Sequence, residues 1–397
     1  MINLAIFGFG TVGSGVYDVI QLNKASIEKT LGDSIRVKYI LDIRDFSDHP
    51  LKELFVKDIN VILEDDEVST VVEAMGGSHP AVDFSLSALK KGKNVITSNK
   101  EVVANFGCEL LKTAKENGVR YLFEASVGGG IPIIRPLLTA LLGNEILSIS
   151  GILNGTTNFI LNEMFQNGKS FEVALKEAQE LGYAERNPAA DVEGLDPCRK
   201  ICILSDIAFG HTVKPEQVST EGITAITLED VQDAEKAGYT IKLLGNAEKC
   251  ENGIYIMVCP FFIKKDQMLA NVLGVFNGVK VVGNAVGDLL FYGAGAGKLP
   301  TASAIVADIM DVESKNRLFN AAWENDAPEG YVLDLNNRET AMYLRIRKGK
   351  QPLCSCLGAT VINETDTTLS VITAKLPEGK ILEAIQEQEV LSKIRIH

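Results

Sequence analysis

The sequence predicts an α/β protein whose chain begins with a parallel sheet, and two patterns indicate this fold class. Short apolar segments alternate with helical patterns over the first third of the chain: INLAIF, VKYILD, TVVEAM, NVITS and RYLFEA. Such alternation is typical of parallel strands joined by helices that cover both faces of the sheet. In addition, the loop GFGTVGSG directly follows the first apolar segment and opens a helical pattern.

This glycine-rich loop matches the dinucleotide-binding pattern G-x-G-x-x-G. The first glycine permits the tight turn, the second lets the backbone approach a pyrophosphate, and the third lets the helix pack closely on the strand. A turn of glycines without a ligand is the alternative interpretation. We expect an N-terminal Rossmann dinucleotide-binding domain over residues 1–135, to which residues 295–320 return. Its predicted cofactor contacts are Gly8, Phe9, Gly10, Thr11, Val12 and Gly13.

The end of the second predicted strand bears on the choice of cofactor. It reads ILDIRD and contains Asp42, Arg44 and Asp45. An acid at this place binds the ribose of NAD, whereas an arginine accommodates the 2′-phosphate of NADP. Both residue types are present, so NAD and NADP both stay open, with a slight preference for NADP through Arg44.

A later helical pattern, KEVVANFGCELLKTAKENG, has signals at both ends. Ser98 and Glu101 have the spacing of a capping box, and Gly118 supplies a stop. After about residue 145 the order of elements becomes mixed, with a long strand pattern, several helices and two more strands. We therefore expect an α+β catalytic and dimerisation domain over residues 136–294. Four further strand patterns and one helix predict a small third domain over residues 330–397.

Four carboxylates precede a lysine in the stretch GYAERNPAADVEGLDPCRK, residues 182–200. Asp196 before Pro197 predicts an N-cap and a first helical position, and Lys200 then lies one turn later on the same face. The helix continues almost entirely apolar, so we expect it to be buried and its lysine to need partners. A solvated ion pair at a helix start is the alternative. A lysine so placed can exchange the hydroxyl proton during alcohol oxidation, which predicts a dinucleotide-dependent reductase of a cationic or zwitterionic small molecule.

The composition argues against several classes of function. The 397 residues carry a net charge of −13, which does not suit nucleic-acid binding or docking on anionic lipid. No apolar run approaches the roughly 20 residues of a membrane span, and the basic region of a signal peptide is not seen. The seven cysteines are odd in number and scattered, so we expect reduced thiols in the cytoplasm.

Seven motifs together resemble those of homoserine dehydrogenases. In chain order they are GFGTVGSGV, VVEAMGG, TSNK, FEASVGGGIPII, NGTTNFIL, the acidic stretch and GAGAGKLPTASAIVADI. The resemblance covers roughly the first three quarters of the chain and implies a homodimer or higher homo-oligomer. It also implies reversible reduction of L-aspartate 4-semialdehyde to L-homoserine with NADH or NADPH, on the branch toward threonine, methionine and isoleucine.

Two other hypotheses stay open at this point. One is a different dinucleotide-linked oxidoreductase that shares the first domain, and NGTTNFIL with the acidic stretch argues against it. The other is a non-catalytic dinucleotide sensor, which is disfavoured because Lys200 and Asp196 are both present.

The resemblance implies roles for individual residues. Lys200 matches the proton-transferring lysine, Asp196 its partner, and Lys100 a second active-site lysine near nicotinamide and substrate. Positions that contact the substrate in the family match Glu185, Asp191, Gly155, Thr156 and Tyr183. Gly297 matches a late glycine that closes over the cofactor.

Two further features are implied by the resemblance. The segment EASVGGGI resembles a sodium-type monovalent cation site, and the matching positions are Glu124, Val127, Gly129 and Ile131; a plain connection ending at Pro132 is the alternative. Residues 330–397 resemble a small degenerate ACT-like C-terminal domain, a regulatory module of βαββαβ order. Because KGKQPLCSCLGATV is too short for its first helix, we expect no strong feedback by threonine and a tail that serves dimer packing.

Overall fold

The computed structural model describes residues 1–314, 323, 325–349, 353 and 355–397. Its chain forms two compact units. The first unit consists of Met1–Glu145, Cys202–Pro215 and Gly293–Ala327. The second consists of Ile146–Ile201, Glu216–Tyr292 and Pro328–His397. The two units are described separately below.

The first unit is built on a six-stranded sheet in the order β3-β2-β1-β4-β5-β6, in which every pair of neighbours is parallel. The strands are β1 Ile2–Phe7, β2 Ile35–Leu41, β3 Phe55–Val56, β4 Val68–Glu73, β5 Asn94–Thr97 and β6 Tyr121–Leu122. The order reverses between β1 and β4, and ligands of such sheets bind at this switch point. The predicted α/β class and its parallel sheet are therefore confirmed.

Helices surround this sheet, and one of them comes from late in the chain. Those of the first unit are α1 Thr11–Leu22, α2 Lys24–Leu31, α3 Asn60–Leu63, α4 Ala81–Lys90, α5 Lys100–Glu116, α6 Ile134–Leu138 and α12 Lys298–Glu313. The late helix α12 shares a buried apolar core with α1, to which Val16 and Ile20 contribute from α1 and Ala302 and Ile305 from α12. The end of the predicted returning segment, residues 315–320, lies outside the described residues.

The start of α5 differs from the sequence prediction. The N-cap is Asn99, whose side-chain oxygen accepts a hydrogen bond from the Val102 amide at 3.3 Å. The predicted capping box of Ser98 and Glu101 is wrong, because the Glu101 carboxylate instead accepts from the Ser78 hydroxyl at 2.8 Å. The Thr97 hydroxyl accepts from the Asn99 amide and so turns the chain one residue later than the spacing predicts.

The second unit contains a ten-stranded sheet, and its main path runs β12-β11-β7-β9-β10-β18-β14-β16-β15 with β8 paired to β10. Its strands are β7 Ile146–Ile152, β8 Ser219–Thr220, β9 Tyr239–Cys250, β10 Gly253–Lys264, β11 Phe276–Gly283, β12 Gly287–Ala294, β14 Met342–Arg347, β15 Thr360–Glu364, β16 Thr368–Ile372 and β18 Val390–Ile396. A separate pair is formed by β13 Glu339–Thr340 and β17 Leu376–Pro377.

In the described part of this unit, the helices are α7 Gly155–Asn167, α8 Phe171–Glu180, α9 Ala189–Val192, α10 Leu195–Phe209, α11 Leu228–Lys236 and α13 Glu378–Ala384. Helix α10 belongs to the second unit as far as Ile201 and to the first unit beyond it. The antiparallel hairpin of β9 and β10 is paired over twelve residues on each strand, from Tyr239 opposite Lys264 to Cys250 opposite Gly253. This long hairpin supports β7, after which the chain turns into α7 and the candidate site.

The tail strands β14, β15, β16 and β18 are neighbours in the order β18-β14-β16-β15, and each pair is antiparallel. A short 3-10 turn, Ser355–Leu357, stands where the βαββαβ order has its first helix. Part of that stretch, residues 350–352 and 354, lies outside the described residues. Strand β18 also pairs in parallel with β10, so these strands continue the sheet of the second unit. The ACT-like assignment stays a prediction.

Two sequence expectations are tested by simple observations. No described helix is both long and apolar enough to cross a membrane. Among the described residues, five cysteines carry thiols that are not in disulfides, namely Cys108, Cys198, Cys202, Cys250 and Cys259. Cys356 is disulfide-bonded, so the expectation of reduced thiols is wrong at that position. The number and scatter of cysteines do not report whether two particular sulfur atoms lie within bonding distance.

Candidate active site

The glycine loop of the first unit has the geometry that a dinucleotide cradle requires. Gly8 has a φ of +87°, and a Cβ atom on Gly13 would lie 2.0 Å from the Gly8 carbonyl oxygen. A Cβ atom on Gly10 would meet nothing within 4 Å. Gly8 and Gly13 are therefore required by the fold itself, whereas Gly10 leaves open space at the start of α1. That open space, next to the amide groups of a helix N-terminus, fits a pyrophosphate.

Asp42 at the end of β2 is engaged with the glycine loop and with Arg44. Its Oδ2 atom accepts a hydrogen bond from the Phe9 amide at 2.8 Å. Arg44 donates to both carboxylate oxygens, at 3.0 and 2.7 Å. Burial alone would raise the pKa of Asp42, but the hydrogen bonds from Arg44 and from the Phe9 amide lower it to about 2. Asp42 is thus ionised and fixes the loop, while the Arg44 side chain stays largely exposed.

Glu73 is a buried carboxylate that the sequence analysis missed. It lies at the end of β4 and accepts hydrogen bonds from the Thr97 hydroxyl at 2.6 Å and from the Met75 amide at 2.8 Å. Burial raises its pKa. Through Thr97 it joins the carboxyl ends of β4 and β5, directly before Lys100, the first residue of α5. Asn99 adds a hydrogen bond to the Gly77 carbonyl at 2.8 Å, so the two loops are fixed to each other.

The predicted cation segment forms a buried turn in which Glu124 binds backbone amides. Its carboxylate accepts from the amides of Ile133, Ile134 and Arg135, at 2.7, 2.9 and 2.6 Å. Burial raises the pKa of Glu124. Asp308 of α12 accepts from the Glu124 amide at 2.9 Å, and burial together with the Glu124 charge raises the pKa of Asp308 to about 8.

The same turn packs against the glycine-rich segment before α12. The Gly130 amide donates to the Ala294 carbonyl at 3.0 Å, and a Cβ atom on Gly129 would lie 2.6 Å from the Gly295 carbonyl oxygen. Gly297, which precedes α12, has a φ of +124°. Two motifs that lie about 165 residues apart in the sequence are therefore neighbours in the first unit. Among the described residues there is no group of three or more histidine, cysteine or acidic side chains that could hold a metal ion.

In the second unit, Lys200 and Asp196 form a buried ion pair. The Lys200 Nζ atom lies 2.7 Å from Oδ2 of Asp196 and 2.7 Å from the Leu153 carbonyl oxygen. The exposed fractions of Lys200 and Asp196 are 8% and 4%, so the alternative of a solvated ion pair is excluded.

The start of α10 differs from the sequence prediction. The helix begins at Leu195, two residues earlier than expected, and Asp196 is its second residue rather than its N-cap. Pro197 is accommodated there because the first-turn amides of a helix have no intrahelical partner.

Asn154 links this ion pair to a second carboxylate, and the sequence analysis did not single it out. Its Nδ2 atom donates to Oδ1 of Asp191 at 2.7 Å and to Oδ2 of Asp196 at 2.9 Å. Its side-chain oxygen accepts from the Thr157 amide at 2.9 Å and so caps α7. The available signal was its place before Gly-Thr-Thr, since asparagine is a preferred N-cap.

The remaining predicted substrate residues are Thr156, Tyr183, Gly155 and Glu185. The Thr156 hydroxyl donates to the Tyr183 carbonyl at 2.6 Å, which brings the start of α7 next to the segment after α8. A Cβ atom on Gly155 would lie 2.6 Å from the Val275 carbonyl oxygen, so a larger residue does not fit there. The Glu185 side chain is exposed.

This arrangement suits proton transfer next to a recognised cation. The ammonium group of Lys200 is held by one carboxylate and one carbonyl, both inside the protein, and each is a fixed acceptor. A lysine held in this way can give a proton to a substrate oxygen or take one from it. Asp191 is half-buried beside the cluster, and a carboxylate there can bind an ammonium group of a substrate.

Comparison with known proteins agrees with these features. The family model described as "Homoserine dehydrogenase, NAD binding domain" matches residues 8–124, and that described as "Homoserine dehydrogenase" matches residues 132–310. The homoserine dehydrogenase of Pseudomonas aeruginosa is 40% identical over 95% of this chain and 89% of its own length. That of Neisseria gonorrhoeae is 37% identical over 98% and 95%.

Solved structures are similar over most or all of the chain. The crystal structure of a homoserine dehydrogenase from Thiobacillus denitrificans superimposes with a TM-score of 0.92 at 37% identity, and covers 100% of this chain and 98% of that one. A hyperthermophilic archaeal homoserine dehydrogenase in complex with NADPH gives a TM-score of 0.70 at 29% identity, over 81% of this chain and 99% of that one. With both family models matched and such relatives over nearly its full length, this chain belongs to the homoserine dehydrogenase family.

Proposed function

We propose that this chain catalyses the reversible NAD(P)H-dependent reduction of L-aspartate 4-semialdehyde to L-homoserine, in the biosynthesis of threonine, methionine and isoleucine. Family membership supports the reaction. The observation that supports it most directly is the buried pair of Lys200 and Asp196, joined by Asn154 to Asp191. It supplies a proton donor and an acid for the substrate ammonium within one cluster.

The chain's own residues handle the proton. The bound nicotinamide supplies the hydride in the direction of reduction. As the carbonyl oxygen gains charge, the Lys200 ammonium donates a proton to it, and in the reverse direction the lysine amine accepts that proton. Asp196 and the Leu153 carbonyl keep the Lys200 Nζ atom in place during both steps. Lys100 acts as a second active-site lysine, placed by the start of α5.

We assign substrate recognition to Asp191 and Glu185, with Gly155, Thr156 and Tyr183 shaping the site. Asp191 is held by Asn154, whereas Glu185 is exposed and can close on the substrate ammonium when substrate binds. The Thr156 hydroxyl is hydrogen-bonded to the Tyr183 carbonyl, which supports a common role for these two positions.

For the cofactor we propose contacts from Gly8, Phe9, Gly10, Thr11, Val12, Gly13, Arg44, Lys100 and Gly297, with NADP preferred over NAD. The open space at Gly10 supports the pyrophosphate contact. The exposed Arg44 guanidinium supports a contact with the 2′-phosphate, because arginine binds phosphate oxygens with parallel hydrogen bonds. The similar archaeal enzyme was solved in complex with NADPH.

A sodium-type cation is proposed for the turn at residues 127–131, with the carbonyls of Val127, Gly129 and Ile131 as ligands. Gly128 and Gly129 have φ values of +74° and +53°, which allow neighbouring carbonyls to point inward. Because the Glu124 carboxylate is bonded to three amides, we assign it to fixing the turn and contributing charge nearby. Such an ion would be structural.

We further propose a homodimer or higher homo-oligomer that acts in the cytoplasm. Strand β12 ends the main path of the large sheet, and large apolar side chains are exposed there and nearby, including Tyr292 (53%), Phe276 (42%) and Val286 (43%). An edge strand beside exposed apolar residues favours association with a second copy. Five described cysteines carry thiols and one, Cys356, is disulfide-bonded; the majority of thiols favours a reducing compartment.

The test is an assay of purified protein with L-homoserine and NAD or NADP, followed at the nicotinamide absorbance with sodium or potassium present. We expect turnover, and we expect Lys200→Ala to lower kcat by roughly 10²–10⁴-fold, the usual contribution of general acid–base catalysis. Cofactor binding by this variant should stay close to wild type. No turnover with either cofactor would contradict the proposed reaction, and a near-normal rate for Lys200→Ala would contradict the role of that lysine.

A further inference from the structure

Asn154 occupies the junction between β7 and α7, where Leu153 and Asn154 together hold both members of the ion pair. The Leu153 carbonyl accepts from Lys200, and the Asn154 amide donates to Asp196. The Asn154 side chain is buried, with 6% exposure. Two consecutive residues therefore position both Lys200 and Asp196 of α10.

Each hydrogen-bonding group of the Asn154 side chain is in use. An asparagine amide offers two N–H donors and one acceptor oxygen. Both donors serve carboxylates, at 2.7 Å for Asp191 of α9 and 2.9 Å for Asp196 of α10. The oxygen accepts from the amide of Thr157 at 2.9 Å and from its hydroxyl at 3.1 Å.

The linked carboxylates carry like charges, and this makes the linker important. Two carboxylates close together repel each other, which disfavours their simultaneous ionisation. The neutral Asn154 amide donates one N–H to each carboxylate and so stabilises both charges, and the Lys200 ammonium pairs with Asp196. The same oxygen of Asp196, Oδ2, accepts from Lys200 and from Asn154, so loss of the amide frees the carboxylate to rotate away from the lysine.

We infer that Asn154 is a positioning residue for the reaction, which aligns Asp196 with Lys200 for proton transfer and holds Asp191 in place for the substrate ammonium. This inference rests on the proposed function of Lys200 and Asp196. It differs from a simple capping role, because the cap uses only the side-chain oxygen whereas the positioning role uses the amide donors.

Two variants separate these roles. Asn154→Ser keeps a good N-cap acceptor but removes both amide donors. Asn154→Asp keeps the cap oxygen and the side-chain shape, but it places a third carboxylate beside the other two. A matched control is Ser170→Ala, which removes the side-chain cap of α8.

We expect Asn154→Ser to lose about 10–100-fold in kcat, which corresponds to the loss of its hydrogen bond to the charged Asp196. The acid limb of its pH profile should move to higher pH, because the ionised carboxylates lose a stabilising donor. Asn154→Asp should lose more than Asn154→Ser at neutral pH. Ser170→Ala should keep the wild-type kcat and pH profile, and NADPH binding measured on every variant reports whether the first unit is intact.

The outcomes distinguish this inference from the proposed function. A wild-type kcat and an unshifted profile for Asn154→Ser, with Lys200→Ala inactive, would overturn the inference and leave the proposed function in place. A near-normal rate for Lys200→Ala would overturn the proposed function itself. Should Asn154→Ser fail to fold, Asn154→Asp decides, because a rate equal to wild type with three adjacent carboxylates would refute the positioning role.

Discussion

Replacement of Arg44 by alanine tests the choice between NADP and NAD. In the structure the guanidinium makes two hydrogen bonds to Asp42 and lies over the Phe46 ring, 5.2 Å from its centroid. The side chain is 56% exposed, so it can exchange the Asp42 carboxylate for a phosphate or contact both groups. We expect Arg44→Ala to weaken NADP and to leave NAD unchanged or improved, because Asp42 is then available to a ribose hydroxyl.

The size of the effect follows from the two partners of the guanidinium. Its ion pair with Asp42 is partly exposed, and such pairs are worth about 0–1 kcal/mol. A charge-assisted hydrogen bond to phosphate is worth about 1.5–3 kcal/mol. The net gain for NADP is therefore about 0.5–3 kcal/mol, which corresponds to roughly 2–150-fold in kcat/KM.

The measurement is kcat/KM for each dinucleotide with saturating homoserine, for wild type and for two variants. Arg36→Ala is the matched control, because Arg36 is an exposed arginine on the same strand, β2. The ratio of NADP to NAD should fall by the stated factor in Arg44→Ala and should stay constant in Arg36→Ala. An equal loss with both dinucleotides, or no loss with NADP, would refute the assignment of Arg44.

Three further predictions concern the loop, the core and the turn. Gly13→Ala should reduce the protein's stability severely, because its Cβ atom would lie 2.0 Å from the Gly8 carbonyl oxygen. Gly10→Ala should instead unfold like wild type and raise the KM for dinucleotide, because its Cβ atom meets nothing within 4 Å. Thermal unfolding and steady-state kinetics compare the two variants. Burial lowers the pKa of Lys242 from 10.5 to about 8, so the unfolded chain binds more protons between these values and stability should rise with pH across that window. The rise should be roughly 3 kcal/mol and should be absent in Lys242→Met, as measured by urea unfolding from pH 7.5 to 10.5. Glu124→Gln should lower the melting temperature, since an amide group cannot accept all three backbone hydrogen bonds, and a variant as stable as wild type would contradict that role.

Spacing along the chain predicted the parts of the fold and site that depend on local geometry. The alternation of strands and helices predicted the parallel sheet, and the interval of four residues predicted that Asp196 and Lys200 face each other. Such pairs meet on one helix whatever the rest of the chain does. The same spacing did not reveal Asn154, which lies 37 and 42 residues before the two carboxylates that it binds. Contacts over such intervals depend on how helices pack.

Element boundaries were less predictable because competing hydrogen bonds decide them. The start of α5 moved to Lys100 since Thr97 and Asn99 turn the chain, and the start of α10 moved to Leu195 since a proline is tolerated anywhere in the first turn. In both cases the observed helix start lies within two residues of the predicted one.

The function of a carboxylate at a turn or strand end is also hard to predict from the sequence. The same side chain can fix a loop, bind a ligand or act as a catalytic acid. The bonded partners distinguish these roles. In the first unit, Glu124 accepts from three backbone amides and Glu73 from an amide and a hydroxyl, so these acids fix loops. In the second unit, Asp196 accepts from Lys200 and from the Asn154 amide, which are side chains whose proton and position can change during a reaction. A carboxylate bonded to such side chains is the stronger candidate for chemistry, and this supports the role proposed for Lys200.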